Sequence, residues 1–357
     1  MTAAATAAVA TPAPTRATTF EAVVAGRARR GSRRRRVLLL LAVAALALLA
    51  ASLLVGTTYH PPADVARALL GQDVPGASFT VLGLRLPRAV TGLAVGVAFG
   101  AAGTVFQTML RNPLAAPDII GISSGASAAA VFGIVVLSAG DDVVALLALL
   151  GGLGAAAVIY LLAMRQGFAG TRLILVGIGL AAMLNSAVAY VLSRAPQWDL
   201  QEALQWLAGS LNGASWSRTT PVLVALALGL PLVAGQARSL QLLRLGDEGA
   251  AGVGVSVDRT RLVVMFTAVV FLSVATAAAG PIAFVAFMAG PIAARLIGSG
   301  HSLLASGSVG VVLVLAADLV GQVATGTRYP VGVVTGLLGA PFLLYLLVRT
   351  YRTGGAL

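Results

Sequence analysis

Long apolar stretches recur along this chain, and the short segments between them hold most of its charged residues. A helix needs about 20 apolar residues to cross a hydrocarbon core about 30 Å thick, and stretches near that length repeat here. The pattern therefore predicts an all-α integral membrane protein with about ten transmembrane helices. The predicted spans lie at 37–56, 88–108, 118–138, 143–164, 172–192, 219–236, 262–279, 281–297, 303–321 and 330–348.

The segment before the first span has a different composition. It is rich in Ala, Thr and Pro, and it ends in an arginine block that includes Arg33 to Arg36. We interpret 1–36 as a disordered cytoplasmic tail and 37–357 as a ten-helix transmembrane domain. A cleaved targeting peptide is the alternative, but the apolar run over 37–56 is longer than the hydrophobic region of a typical signal peptide.

The positions of the arginines orient the predicted bundle. If the N-terminus is cytoplasmic and the spans alternate in direction, 18 of the 24 arginines fall on the cytoplasmic side. This excess follows the positive-inside rule, so both termini are predicted to be cytoplasmic. The other six fall outside: Arg67, Arg85, Arg88, Arg194, Arg218 and Arg328.

Composition excludes several classes of protein. The chain is 58% hydrophobic and 10% charged, whereas about 25% of a soluble domain is charged. Soluble enzymes and nucleic-acid-binding modules are therefore excluded. With no cysteine and two histidines, neither a disulfide nor a multi-histidine metal site is expected. Every basic residue is arginine, so the chain lacks a P-loop lysine, and any ATP hydrolysis is expected in a separate subunit.

Four polar strings stand out between the spans. Each has an ordinary explanation: headgroup contact for the arginines of 84–88, turn building for the prolines of 111–126, interfacial anchoring for the tryptophans of 206–216, and a solvated connector for 245–255. The arginines of 84–88 lie outside, against the positive-inside trend, so binding of an acidic group that arrives from outside is a second interpretation for them. The last string also fits a second interpretation, equally well. Its glycine and two acids suit a turn followed by a short helix that docks a soluble partner.

Together these strings resemble the FecCD-type permeases of bacterial importers for iron–siderophore complexes, haem and cobalamin. Further matching strings lie at 280–287, 291–296, 317–318, 330–336 and 339–342, so the resemblance covers about 80–357. It implies a type II ABC importer permease fold in which two permease subunits enclose a pathway. It also implies two ATP-binding subunits that hold ATP and Mg, a binding protein that delivers the ligand from outside, and no cofactor in this chain.

The resemblance also implies roles for residues at matching positions. Docking of the binding protein falls to Arg85 and Arg88, with Arg328 as a substitute for the family's third arginine. Coupling to the ATPase falls to Leu245, Gly246, Asp247, Glu248, Ala250 and Gly254. The structural or gating positions are Asn112, Pro113, Pro117, Gly121, Gly125, Pro281, Pro330, Gly332 and Pro341.

Two departures from the family pattern bear on the ligand and the partner. Gln322 stands where a third docking arginine is usual, and Ile292 follows Pro291 where many members have histidine. Such variants resemble the siderophore branch and one half of a two-permease pair, so an iron–siderophore ligand and a heterodimer are favoured. Haem and cobalamin remain alternative ligands. An ion-coupled secondary transporter and a non-transporting receptor remain alternative classes, although the scarcity of charge within the spans argues against ion coupling.

Overall fold

All regular elements that the structure describes are helical. The computed structural model describes residues 16–56, 58–115, 120–163, 170–298, 300, 302–324 and 328–352. Its α-helices are α1 (Arg16–Leu54), α2 (Pro62–Leu69), α3 (Leu86–Met109), α4 (Ile122–Val135), α5 (Asp141–Ala163), α6 (Gly170–Ser193), α7 (Gln197–Leu207), α8 (Trp216–Gly235), α9 (Ala237–Leu242), α10 (Asp247–Gly252), α11 (Val257–Ala279), α12 (Val285–Ile297), α13 (Leu303–Val323) and α14 (Val331–Arg352). A π-helical segment (Phe79–Arg85) precedes α3, and a 3-10 turn (Leu243–Leu245) separates α9 from α10.

The prediction of an all-α bundle with about ten transmembrane helices is confirmed. Among the described residues, eight helical segments are long and apolar enough to cross a membrane, and two shorter apolar helices, α4 and α12, accompany them. Helix α12 is short because Gly280 and Phe284 adopt positive φ angles of 71° and 64°, which delay its start. The predicted spans correspond in order to α1, α3, α4, α5, α6, α8, α11, α12, α13 and α14.

The predicted disorder over 1–36 is wrong for residues 16–36. Helix α1 begins at Arg16 and continues into the first span without a break. Alanine, arginine and glutamate are strong helix formers, so the apolar helix is extended rather than ended by the polar segment before it. Residues 1–15 lie outside the described part of the chain.

One arginine of this segment has a structural role. Arg33 donates from Nε to the carbonyl oxygen of Leu296 (2.9 Å) and from Nη2 to that of Arg295 (3.1 Å). These carbonyls lie at the C-terminal end of α12, where backbone acceptors have no partner within the helix. The basic segment is therefore fastened to the bundle.

Helix α3 defines the two ends of the bundle, because Arg88 lies in its first turn and Arg111 lies two residues beyond its end. We call the end that carries Arg33, Arg111, Arg244, Asp247 and Arg295 the tail face, and the end that carries Arg85, Arg88, Asn212, Asp318 and Arg328 the opposite face. Among the seven arginines named here, those predicted to share a side of the membrane therefore share an end of the bundle.

Helix α3 is central and mostly buried, and it crosses α13 at very short range. A Cβ atom built on Gly310 would lie 2.1 Å from the carbonyl oxygen of Gly96, and one on Gly100 would lie 2.3 Å from that of Ser306. Lipid supplies little hydrophobic drive between helices, so close packing at small residues has to hold them together.

We expect Gly310→Ala to destabilise the fold, because the added methyl group would overlap the backbone of α3. Overpacking of this kind costs about 1–3 kcal/mol. Gly336→Ala is the matched control, since nothing lies within 4 Å of its Cβ position. Thermal unfolding of both variants in one detergent checks this, and equal midpoints would contradict the close crossing.

Candidate functional site

Arg88 and Asp318 form an ion pair inside the opposite face. The start of α3 and the end of α13 lie side by side and bring the two residues together. Nη2 of Arg88 lies 2.7 Å from Oδ1 of Asp318, and Nε lies 3.0 Å from Oδ2. The Asp318 side chain is 2% exposed and that of Arg88 16%. This two-point contact in a desolvated setting fixes the two helix ends relative to each other.

Two amide side chains complete the hydrogen bonding of this pair. Nη1 of Arg88 donates to Oδ1 of Asn212 (2.7 Å), and Nε2 of Gln322 donates to Oδ2 of Asp318 (2.8 Å). Gln322 follows Asp318 by four residues on α13, the spacing at which helical side chains meet. The residue that replaces the family's third docking arginine therefore satisfies Asp318.

Arg85 is also held within the fold. Its Nη1 donates to the carbonyl oxygen of Leu53 (2.8 Å), and its Nη2 donates to that of Thr58. The residue is 9% exposed, and a cation this deeply buried requires hydrogen-bond acceptors. Leu53 at the end of α1 and Thr58 just beyond it supply them, so Arg85 ties the end of α1 to the π-helical segment.

The structure thus places two of the three predicted docking arginines in contacts within the fold. Docking requires an accessible guanidinium group, and Arg85 and Arg88 are both engaged inside the fold. Of the three residues named, Arg328 is the exposed one. The internal partners of Arg85 and Arg88 lie 27 to 230 positions away in the chain, so their proximity had no signal in the sequence.

Asp247 joins three elements at the tail face. Its Oδ1 accepts hydrogen bonds from Nη2 of Arg111 and from Nη2 of Arg261, each at 2.6 Å. Arg111 follows α3, and Arg261 lies near the start of α11. Arg111 also donates from Nε to the carbonyl oxygen of Leu243 (3.2 Å). Helix α10, which begins at Asp247, is therefore tied to the ends of α3 and α11.

Two glycines bracket α10. Gly246 and Gly254 have φ angles of 99° and 86°, a region that glycine enters without steric cost. They let the chain turn sharply on both sides, so α10 forms a separate short helix on the tail face. The interpretation of 245–255 as a turn followed by a short helix is confirmed.

Helix α10 and its flanks present an exposed surface. Leu245 and Val253 are 65% and 60% exposed, and Glu248 between them is exposed as well. Ala250 is fully buried and packs the helix against the bundle. An apolar and acidic surface outside the spans is the kind that a protein partner covers.

Burial, Arg261 and Arg111 each shift the pKa of Asp247. Burial raises the pKa, but the hydrogen bond and the charge of Arg261, together with those of Arg111, outweigh burial and hold it below its ordinary value. A folded-state pKa below the unfolded one means that the carboxylate stabilises the fold above the unfolded pKa. That contribution is lost as the pH falls through the folded pKa.

We therefore expect the contacts of Asp247 to persist at mildly acidic pH. The difference in unfolding midpoint between the wild type and Asp247→Asn should stay constant down to about pH 5 and shrink only below about pH 4, since an unperturbed aspartate titrates near 3.9. Thermal scans over that pH series measure it. A difference that vanishes already at pH 6 would contradict the lowered pKa.

The predicted gating residues form two groups, one at each face, rather than one site. On the tail face, Asn112 builds the turn after α3, and its Oδ1 accepts from the backbone N–H of Leu114 (2.8 Å). Pro113 lies in this turn. Pro117 lies outside the described residues.

The same group continues into α4. Gly121, with φ 93°, precedes the first turn of that helix. Gly125 faces Gly151 of α5, and a Cβ on either would lie 2.5 Å from the carbonyl oxygen of the other. These two glycines therefore fix the crossing of α4 and α5.

The second group gathers at the opposite face. The backbone N–H of Gly332 donates to the carbonyl oxygen of Gly209 (3.0 Å). A Cβ on Gly209 would lie 2.5 Å from the carbonyl oxygen of Pro281, so three separate strings of the sequence converge there. Pro330 precedes α14 at this point, whereas Pro341 lies apart, exposed within α14.

The described residues contain no group of three or more His, Asp or Glu side chains able to hold a metal ion. Their polar contacts instead connect helix ends at the two faces of the bundle. An internal ion pair locks helix ends at the opposite face, and an exposed short helix is tied to the bundle at the tail face. Such an arrangement can pass movement from a bound partner to the spans.

Comparison with known proteins fits this architecture. The FecCD transport family matches residues 40–349. Ferric enterobactin transport system permease protein FepG of Escherichia coli (strain K12) is 39% identical over 292 residues, 81% of this chain and 88% of that protein. Achromobactin transport system permease protein CbrC of Dickeya dadantii (strain 3937) is 40% identical over 300 residues, 83% of this chain and 86% of that protein.

A solved structure supports the fold. A metal-chelate type ABC transporter in an inward-facing conformation matches with a TM-score of 0.77 and 24% identity, covering 88% of this chain and 99% of that one. The family match takes in all of the apolar helices except the first 24 residues of α1 and the last three of α14. The chain therefore belongs to the FecCD transport family and is a multi-pass membrane permease.

Proposed function

We propose that this chain is a permease subunit of an ATP-driven importer and forms part of the pathway for an iron–siderophore complex. The observation that carries the proposal is the family match over 40–349, which takes in nearly the whole bundle. The relatives described above are named as permeases for enterobactin and achromobactin, and they share most of the length of this chain. The ligand class follows theirs.

ATP and Mg belong to separate ATP-binding subunits in this proposal. The absence of lysine excludes a P-loop here, and the exposed surface of Leu245, Glu248 and Val253 supplies a contact area for those subunits. Because Asp247 ties α10 to α3 and α11, a push on α10 reaches two buried helices directly.

A second permease subunit covers α6 in the assembly. This helix is apolar and long enough to span, yet little of it is buried within the chain. Its exposed surface includes Asn185 and Ser186 together with Gly179 and Ala182. Small and polar residues of this kind favour a neighbouring helix or an aqueous pathway over lipid. We favour a heterodimer, because the Gln322 variant resembles one half of a two-permease pair.

The binding protein docks at the opposite face. Arg328 is exposed there and can pair with an acidic side chain of the partner. Arg85 and Arg88 serve this face from within, since their hydrogen bonds hold the ends of α1, α3 and α13 in place. In this proposal Arg328 contacts the binding protein, and Arg85 and Arg88 stabilise the surface around it.

The tail face is cytoplasmic in this proposal, as the arginine excess requires, and both termini lie there. Because the chain has no cysteine, single cysteines at the exposed positions Arg328 and Glu248 report the topology directly. We expect a membrane-impermeant maleimide to label Arg328→Cys in intact spheroplasts and Glu248→Cys only after permeabilisation. Labelling of both from one side would contradict the topology.

Uptake into proteoliposomes tests the transport function. The chain is reconstituted with a second permease and ATP-binding subunits, and a binding protein loaded with labelled ferric siderophore is added outside. We expect accumulation only when ATP is present at the tail face. Uptake by this chain alone under a proton gradient would indicate a secondary transporter, and faster uptake of haem or cobalamin would reassign the ligand.

One structural observation already disfavours ion coupling. Asp318 is the one buried acidic side chain among the described residues, and it is paired with Arg88. A proton- or sodium-coupled carrier needs an ionisable group that is free to change its charge within the membrane. The other carboxylates of the described spans, Asp141, Asp142 and Asp258, lie exposed in the first turns of their helices.

A further inference from the structure

A partly open cavity of about 730 Å³ has no lining residue from α6 or α14. Its walls come from α1, α3, the α8–α9 pair and α13. Along α3 it runs from Leu93 to Thr108, a distance of about 22 Å at about 1.5 Å per residue. That is close to the thickness of one bilayer leaflet with its headgroups, about 20–22 Å.

The lining of the cavity changes from apolar to polar along this axis. The end near Leu93 and Val311 is lined by aliphatic side chains. The end at the tail face carries Gln241, Ser302 and two arginines, Arg34 and Arg244. This gradient has the polarity of a phospholipid whose headgroup lies at the tail face.

The two arginines supply the charge preference. Both are exposed at the mouth of the cavity, and neither makes an ion pair or hydrogen bond with another residue in the described part of the chain. Two arginines at one apolar opening form a site for a phosphate group, which guanidinium binds through two parallel hydrogen bonds.

We propose that this cavity binds one anionic phospholipid from the leaflet at the tail face. Its acyl chains lie along α3 between α1 and α8, and its phosphate pairs with Arg34 and Arg244. The lipid fills a groove that would otherwise leave α1 loosely packed, since little of α1 is buried within the chain. It therefore links the basic segment of α1 to the turn that precedes α10.

Native mass spectrometry of the delipidated full chain tests the site, with phosphatidylglycerol and phosphatidylcholine added at equal concentrations. We expect the wild type to retain one phosphatidylglycerol in clear preference to phosphatidylcholine. The double variant Arg34→Gln/Arg244→Gln should lose this preference. Ala45→Trp, which fills the cavity from α1, should lose the bound lipid altogether.

Two controls match these variants. Arg35→Gln/Arg259→Gln removes the same charge from exposed positions outside the cavity, and Ala47→Trp places the same ring on another side of α1. Both should bind as the wild type does, and circular dichroism confirms that every variant is folded. Equal retention of the two lipids by the wild type would overturn the proposal. So would retained phosphatidylglycerol preference in the double variant or retained lipid in Ala45→Trp.

Discussion

Asp318→Leu is expected to lower the free energy of unfolding by about 3–5 kcal/mol, the usual cost of removing one partner of a buried ion pair. The substitution leaves the guanidinium group of Arg88 without its counter-charge in a nearly closed site. The amides of Asn212 and Gln322 remain, but an amide oxygen does not neutralise a cation. Thermal unfolding in detergent, followed by circular dichroism, measures the loss.

A double variant separates the effect of the two charges from the effect of packing between α3 and α13. Arg88→Met/Asp318→Leu replaces both charges with apolar side chains of similar size, and we expect it to recover most of the lost stability. It also isolates docking. If Arg88 acts only as a brace, the double variant still binds the binding protein and transports. A stable Asp318→Leu single variant would contradict the structural role of the pair.

The spans were predictable from the sequence because hydrophobic length is a local property. A run such as 303–321 has to form its hydrogen bonds internally wherever it lies in the bilayer, so its helix can be read without knowledge of its neighbours. The arginine counts also predicted that Arg85 and Arg88 lie at the end of the bundle away from Arg111. The one difference at 281–297 is the start of α12, which the positive φ angles of Gly280 and Phe284 move to Val285.

The partners of individual arginines were not predictable, because they depend on tertiary contacts. Arg88 looked like an outward cation, yet its partners Asn212 and Asp318 come from a distant loop and a distant helix. The one local signal was the spacing of Asp318 and Gln322, four residues apart on a helix. Residues at that spacing meet on a helix, so it is compatible with a hydrogen bond from the Gln322 amide to the Asp318 carboxylate.

The basic segment shows the opposite case, in which composition misled. Dense arginine over 33–36 suggested a solvated, disordered chain. Composition does not reveal that the carbonyls at the end of α12 lack partners, and Arg33 satisfies them. A disorder assignment from charge density fails where a neighbouring helix end needs donors.

Asp247→Ala is expected to uncouple transport from ATP hydrolysis while leaving the assembly intact. We expect ATP-dependent uptake to fall about tenfold, at the lower end of typical coupling free energies between distant sites. The reason is that Asp247 lies behind the exposed surface and holds α10 to Arg111 and Arg261. Without it, α10 can move under its partner while α3 and α11 stay in place.

Three variants, compared by co-purification and by uptake, distinguish this role from a contact with the ATPase. Leu245→Asp alters the exposed surface and should abolish co-purification of the ATP-binding subunits, whereas Asp247→Ala should preserve it. Asp258→Ala removes an exposed acid that makes no ion pair among the described residues, so it should transport as the wild type does. If Asp247→Ala lost the ATPase along with uptake, Asp247 would be a docking residue. Wild-type uptake in Asp247→Ala would instead remove α10 from the path by which ATP moves the bundle.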